Sequence, residues 1–272
     1  MFGVINKSLN HSSVDGPGNR LVIFFQGCNF SCSYCHNPET IKVCNNCGIC
    51  IAHCSSNALS MKDKKIVWNQ NLCVDCGKCI LVCPNSSSPK TQLLSVSDII
   101  QQIEKVQHFI SGITISGGEC TQQYYFLKEL LIACKQQNIS AFIDTNAHLE
   151  FEKMKELSQY FDKAMPDVKI YSNHQHRQLT GKANELVFQN IEFLLQAHKV
   201  HEIRSVIYPE FDYTETIEKV SQLIASYDHR VIYKLIKFRP HGLNNKKSPS
   251  DEIMLFLKTR AEHFGCSNII IS

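Results

Sequence analysis

Eleven of the 14 cysteines in this 272-residue chain fall between Cys28 and Cys83, separated by two or three residues within each group. A secreted domain stapled by disulfides is shorter and spreads its cysteines along its length. A chain of this size buries an ample core without staples, so the spacing is that of metal ligands. Cys120, Cys134 and Cys266 stand apart from the pattern.

The eleven form three groups: Cys28-x3-Cys32-x2-Cys35, Cys44-x2-Cys47-x2-Cys50-x3-Cys54, and Cys73-x2-Cys76-x2-Cys79-x3-Cys83 followed by Pro84. The last two repeat one spacing and match the runs of bacterial two-cluster ferredoxins, in which the fourth cysteine ligates the other run's cluster. One [4Fe-4S] cluster is therefore expected on Cys44, Cys47, Cys50 and Cys83, and a second on Cys73, Cys76, Cys79 and Cys54. Ser55 stands where the first run would carry proline. The first group offers three ligands to a site that takes four. Structural zinc would need a further Cys or His, and His36 is awkwardly placed beside Cys35. Three cysteines around a third [4Fe-4S] cluster leave one iron open to chemistry.

Hydrophobic residues at 43% and charged residues at 19% are those of an ordinary soluble globular protein. The apolar runs are too short for a membrane span. The opening MFGVINKSLNHSS has no apolar stretch before a small-residue cleavage site, which predicts a cytoplasmic protein. Cluster thiolates offset the formal charge of +3, and no Lys/Arg stripe is present. Neither nucleic acid nor membrane is an expected partner.

The run Arg20 to Phe25 reads as a buried parallel strand, so Cys28 lies in the loop at its C-terminal end. Residues 40–90 are rich in Cys and Asn, lack periodicity and close on SSSPK, which predicts a small metal-stabilised insert. Domain boundaries are placed at 1–39 with 91–272 for the main domain and 40–90 for the insert. Beyond it the pattern alternates. Ser97 is expected to cap a helix bearing Ile99, Ile103, Val106 and Phe109, and Thr121 a helix bearing Tyr124, Leu127, Leu131 and Cys134. Strands are expected at 112–116, 141–143, 163–170, 203–208, 231–238 and 269–271, with helices at 149–160, 184–198, 213–226 and 250–263. This is the βαβ rhythm of a parallel sheet. It fits a partial or complete (β/α) barrel, or an open doubly wound sheet.

Several residues at strand ends have plain structural readings. Gly117-Gly118-Glu119 makes a tight turn with a capping carboxylate. Asp144 and Asp167 make helix caps, Lys169 a solvated lysine, and His241 part of a turn. Their shared placement argues for more, since polar groups delivered by separate strands to one rim form the active sites of (β/α) barrels.

With these residues in view, the chain resembles the radical S-adenosylmethionine (SAM) enzymes. More narrowly, it resembles the glycyl-radical-enzyme activases, the group that includes the pyruvate formate-lyase activating enzyme. The resemblance rests on VDGPGNRLVIFFQGCNFSCSYCHNP, GITISGGE, DTN, DVK and RSVIYP, and the NNCG and IVWN segments are most similar to the YjjW-type activases. It implies an α/β fold, the radical SAM partial (β/α)6 barrel, carrying a bacterial-type two-[4Fe-4S] ferredoxin-like insert. It implies a SAM-binding cluster on Cys28, Cys32 and Cys35, and Tyr34 near the adenine. Gly117, Gly118 and Glu119 would hold the SAM amino group through the backbone. Asp144 and Asp167 would serve SAM and a monovalent cation, Lys169 would face the SAM carboxylate, and Arg204 and Val206 would line the SAM site. Cys120 stands where many relatives have proline, and His241 is offset by two residues from a family histidine whose adenine-side role it is expected to take.

The implied activity is reductive cleavage of SAM to a 5′-deoxyadenosyl radical, which takes a glycine Cα hydrogen from a partner glycyl radical enzyme. Electrons would come from flavodoxin or ferredoxin. Two other readings stand at this point: a radical SAM enzyme acting on a small molecule or peptide with auxiliary clusters, and an electron-transfer ferredoxin with an appended domain.

Overall fold

The computed structural model describes residues 1–240 and 246–272. Its chain divides into two compact units, Met1–Asn29 with Asn37–Ala133, and Phe30–His36 with Cys134–Ser272. The expected insert lies wholly within the first unit, and the expected site residue His241 lies outside the described residues.

In the first unit, strand β1 (Phe2–Ser12) pairs antiparallel with β2 (Arg20–Phe25). Every residue of β2 is buried, as a strand covered on both faces requires. Buried Arg20 at its start donates from Nε to Thr114 Oγ1 at 2.8 Å and also to the Ile113 carbonyl, so its charge is not left unsolvated. Residues 40–90 hold a two-stranded hairpin, β3 (Leu59–Lys62) with β4 (Lys65–Trp68), and a single helical turn, α1 (Lys78–Leu81). Strand β5 (Gln92–Ser95) returns to pair antiparallel with β1, and helix α2 (Val96–Val106) follows directly. Strand β6 (Gly112–Gly117) pairs parallel with β2, and α3 (Tyr124–Gln136) carries the chain across the unit boundary.

The second unit continues the strand–helix alternation. Strand β7 (Ala141–Thr145), helix α4 (Phe151–Leu157) and strand β8 (Lys163–Pro166) come first, with β7 and β8 parallel. Helices α5 (Asn173–Thr180) and α6 (Glu185–Gln196) lead to β9 (Glu202–Ile207). Helix α7 (Thr214–Tyr227), strand β10 (Ile232–Lys237), helix α8 (Asp251–His263) and strand β11 (Ile269–Ile271) complete the unit. Strands β9, β10 and β11 are parallel neighbours, and β8 meets β9 through isolated bridges at Ala164–Val200 and Asp167–Arg204. No helix among the described residues is long and apolar enough to cross a membrane.

The structure corrects both predicted caps. Ser95, not Ser97, caps α2: its Oγ accepts from Asp98 N at 3.1 Å while Asp98 Oδ2 accepts from Ser95 N at 2.8 Å, a reciprocal capping box. Ahead of α3 the cap is Glu119 rather than Thr121, for the carboxylate accepts both the Thr121 N–H and its hydroxyl. Strands β1 and β5, the hairpin and α5 were not expected. In β1, Asn6 and Lys7 break the apolar alternation, and part of its pairing comes from a side chain. Gln123 accepts from Val4 N and donates to Val4 O, each at 2.8 Å.

Candidate functional site

Within the first unit the Gly117-Gly118-Glu119 turn is fixed by close approach. A Cβ at Gly117, whose φ is +117°, would meet Phe25 N and O at 2.3 Å, and one at Gly118 would meet the carbonyl oxygens of Gly27 at 2.4 Å and Thr40 at 2.7 Å. No L side chain fits either position. Two of the turn's N–H groups are spent on the same neighbours, Gly118 N donating to Phe25 O at 3.0 Å and Glu119 N to Gly27 O at 2.8 Å. The Glu119 carbonyl accepts from Gln122 N at 3.1 Å. Gly27 N and Cys28 N donate to Thr40 O and Ile41 O, which sets the start of the cysteine loop.

The rest of that loop, Phe30–His36, belongs to the second unit. Ser31 N and Ser33 N donate to Thr180 O and Leu179 O, carbonyls at the C-terminal end of α5 that have no helical partner of their own. Phe30 is buried with its ring edge-on to His148 and His176. His176 Nδ1 lies 2.7 Å from Lys182 O and pins the end of α5. Neither α5 nor these two histidines was anticipated. Ser172 at the helix's start and Gly181 just past its end were the available signals.

Tyr34 is 2% exposed, and its hydroxyl has no hydrogen-bond partner. Its ring packs on Tyr208 with centroids 5.3 Å apart, and Lys169 Nζ lies 5.7 Å from the ring centroid. The ammonium is tied to Asp167 Oδ2 at 2.7 Å. Burial works against the Lys169 charge, but Asp167, Tyr34 and Cys32 together hold it firmly protonated. Burial pushes the Cys32 thiol up to about 11, and Lys169 draws it back down. The cation thus favours the thiolate, the form that binds metal.

Glu202, Arg204 and Val206 alternate along one face of β9. The Arg204 guanidinium reaches Asp144 Oδ2 at 3.2 Å, Glu202 Oε1 and the Met165 sulfur, while Lys234 Nζ stands 3.7 Å from Glu202. Burial opposes the Arg204 charge, but Asp144, Glu202 and Asp167 keep it protonated. Val206 is half-buried two residues on. Asp144 and Asp167 are not helix caps: Glu150 and Ser172 hold the N-cap positions of α4 and α5, and each aspartate has a basic side chain as counter-charge. Asn190 donates to Ala147 O and Leu149 O and so holds the loop that follows β7.

Of the eleven clustered cysteines, Cys47 and Cys76 are exposed, Cys50 is buried, and the others are half-buried. No group of three or more Cys, His, Asp or Glu among the described residues stands in metal-holding geometry. The donor set nonetheless fits a cluster. Cys54, from the first run, lines one cavity with Cys73, Cys76 and Cys79, together with Leu59, Trp68 and Lys90. Cys50 lies within electrostatic reach of Cys44, Cys47 and Cys79. Cys54 and Cys83, the two fourth cysteines, both have lowered pKa values. At Cys54, hydrogen bonds from Ser56 and neighbouring N–H groups outweigh burial, and at Cys83 those from Ser87 and its neighbours do so. Cys120 is a fully buried thiol.

Gly118→Ala should destabilise the protein by roughly 1–3 kcal/mol, the cost of overpacking against backbone that cannot yield. A urea melt indistinguishable from that of the parent would mean that the turn is looser than its contacts imply.

Comparison with known proteins follows the same lines. Residues 22–224 match the Radical SAM superfamily. The 4-hydroxyphenylacetate decarboxylase activating enzyme of Clostridioides difficile (strain CD196) is 32% identical over 212 residues, covering 71% of this chain and 67% of that protein. The isethionate sulfite-lyase activating enzyme of Desulfovibrio desulfuricans is 26% identical over 268 residues, covering 90% of this chain and 85% of that protein. Among solved structures, QueE from Escherichia coli superposes with a TM-score of 0.56 at 15% identity, covering 100% of this chain and 94% of that one. The last likeness shows the fold, a mixed α/β architecture with the partial barrel-like sheet of the radical SAM core. The chain belongs to the Radical SAM superfamily and is homologous to several activating enzymes.

Proposed function

We propose that this chain is a radical SAM activase that installs a glycyl radical on a partner enzyme. The observation that carries the reading is the grouping of Cys32, Tyr34, Lys169 and Asp167: a thiol within the field of a buried ammonium, beside a buried phenol that lacks a partner. A buried hydroxyl left unpaired costs about 1–3 kcal/mol, a cost that a polar ligand in contact with it would offset. The relatives' names, each an activating enzyme, supply the reaction class.

Cys28, Cys32 and Cys35 would hold the SAM-binding [4Fe-4S] cluster. When bound, it supplies the single electron that cleaves SAM to methionine and a 5′-deoxyadenosyl radical. The chain's own groups do the positioning. Lys169 presents a protonated ammonium to the SAM carboxylate, and Asp167 keeps it oriented. The backbone of the Gly117-Gly118-Glu119 turn would hold the SAM amino group, in a turn whose Gly118 and Glu119 N–H groups are already committed. Tyr34 offers its ring and hydroxyl toward the adenine. Arg204 acts through Asp144, holding that carboxylate in place. A monovalent cation there would share Asp144 with the guanidinium. Insert residues 40–90 would carry the two auxiliary clusters, with Cys54 and Cys83 as the crossed ligands, a reading supported by the cavity that joins Cys54 to the second run. A plain electron-transfer ferredoxin would leave the match over residues 22–224 without a purpose.

The anaerobically reconstituted protein should carry about 12 irons per chain and form 5′-deoxyadenosine from SAM and dithionite. Replacing Cys28, Cys32 and Cys35 with Ala should leave about eight irons and end SAM cleavage. Stoichiometric zinc, or cleavage that survives the triple variant, would defeat the assignment. Tyr34→Phe gives a separate readout. It should raise the melt of the SAM-free protein, where the hydroxyl is unpaired, yet weaken SAM binding about tenfold, as loss of one hydrogen bond does. Equal SAM affinity in the variant would remove the hydroxyl from the site.

A further inference from the structure

Trp68, the last residue of β4, is the chain's single tryptophan. The residue as a whole is half-buried, yet its indole Nε1 is shut off from solvent and has no hydrogen-bond partner among the described residues. This reverses the usual arrangement, in which a tryptophan hides its ring and gives its one polar atom to water or to an acceptor. A buried donor left without an acceptor is destabilising, so the position wants an acceptor that the protein's own groups do not supply.

Sheet register decides what the ring shares its face with. Leu59 pairs with Trp68 and Met61 with Ile66 across β3 and β4, so these four side chains lie on one face of the hairpin. At the Met61 end that face meets the first cysteine run, where a Cβ at Gly48 would lie 3.2 Å from the Met61 methyl. At the other end, Leu59 and Trp68 line one cavity with Cys54, Cys73, Cys76 and Cys79. Backbone bonds keep this foot of the hairpin closed, Asn69 N donating to Ala58 O at 2.8 Å and Ala58 N to Cys54 Sγ at 3.2 Å. Lys90 lines the same cavity, with its side chain 16% exposed and its ammonium paired with Asp75. Cysteines bind metal as thiolates, so the cavity gathers negative charge when loaded. Ala58 N already serves one sulfur, and the Trp68 N–H is a donor still to be used.

We propose that the Trp68 indole N–H donates to a sulfur of the [4Fe-4S] cluster held by Cys73, Cys76, Cys79 and Cys54, and thereby raises that cluster's reduction potential. The proposal rests on the two-cluster reading of the insert. A reduced cluster carries one more negative charge than the oxidised one, so a donor to its sulfur favours reduction. Being hidden from solvent, the indole N–H meets no competition from water and acts in a medium of low dielectric constant. The structural alternative is that Trp68 only packs the foot of the hairpin against Leu59. The two roles differ in sign. Loss of a donor lowers the potential, whereas loss of packing alone admits water, which stabilises the more highly charged reduced form and raises it.

The test uses the reconstituted full chain with Cys28, Cys32 and Cys35 replaced by Ala, so that the insert carries the only clusters. Tryptophan labelled with nitrogen-15 at the indole places one label, at Trp68. After reduction with dithionite, pulsed electron-spin spectra should show hyperfine coupling between a cluster spin and that nitrogen. A potentiometric titration of Trp68→Phe should show the reduction equilibrium of one cluster falling about tenfold, equal to about 59 mV for one electron. The other cluster's midpoint and the iron content should match those of the unsubstituted tryptophan chain. Absence of nitrogen coupling, or midpoints in Trp68→Phe that stay put or rise, would overturn the proposal. Should Trp68→Phe lose iron, the labelled native ring decides alone. About four irons in the chain with all its cysteines would instead defeat the two-cluster reading beneath it.

Discussion

An ammonium kept almost out of water by one carboxylate ties the second unit's interior together. Lys169 Nζ lies 2.7 Å from Asp167, and its side chain is 12% exposed. Asp167 also forms the backbone bridge to Arg204, and the Arg204 guanidinium in turn pairs with Asp144 and Glu202. Charges so placed hold one another in register, since removing one partner of a buried pair strands the other at a cost of about 3–5 kcal/mol. Strands β7 and β9 and the segment after β8 each contribute a member. The polar geometry thus depends on strand register, and Lys169 in turn fixes the electrostatic surroundings of Tyr34 and Cys32.

The cysteine loop shows how the two ends of one motif can be set by different elements. Its start is held by carbonyls of Thr40 and Ile41, and its later part by the C-terminal carbonyls of α5 and by two buried aromatic rings, Phe30 and Tyr34. The later part of the loop therefore draws on backbone acceptors that a short polar helix leaves unused. The glycine turn works in the opposite sense. Its Gly118 and Glu119 donors go to β2 and the start of the cysteine loop, and its Glu119 carbonyl accepts from Gln122 N.

How much was legible in the sequence follows from where each signal resides. Strand β2 could be read to the residue because burial on both faces demands an unbroken apolar run. Strand β1 could not, because Asn6 and Lys7 interrupt its pattern and Gln123, far along the chain, completes its hydrogen bonds. Helix α5 was missed because it is polar and only eight residues long, with little beyond Leu179 and His176 to mark a buried face. The capping errors were local: Ser95 and Ser97 are both plausible caps by residue type, and only the Asp98 carboxylate distinguishes them. Cysteine spacing was legible without the fold because it is a matter of residue order rather than conformation. The pairings of Asp144 and Asp167 with Arg204 and Lys169 are long-range or geometric facts that no spacing reports.

The proposed activity is removal of one hydrogen atom from a glycine of another enzyme. It is met most directly by following that atom. The glycyl radical partner would be prepared with deuterium at glycine Cα and mixed anaerobically with the reconstituted chain, unlabelled SAM and reductant. Deuterium should then appear in 5′-deoxyadenosine while a doublet electron-spin signal of a glycyl radical develops on the partner. Sustained formation of unlabelled 5′-deoxyadenosine, with no radical on the partner, would contradict the claim and assign the radical to a small-molecule substrate.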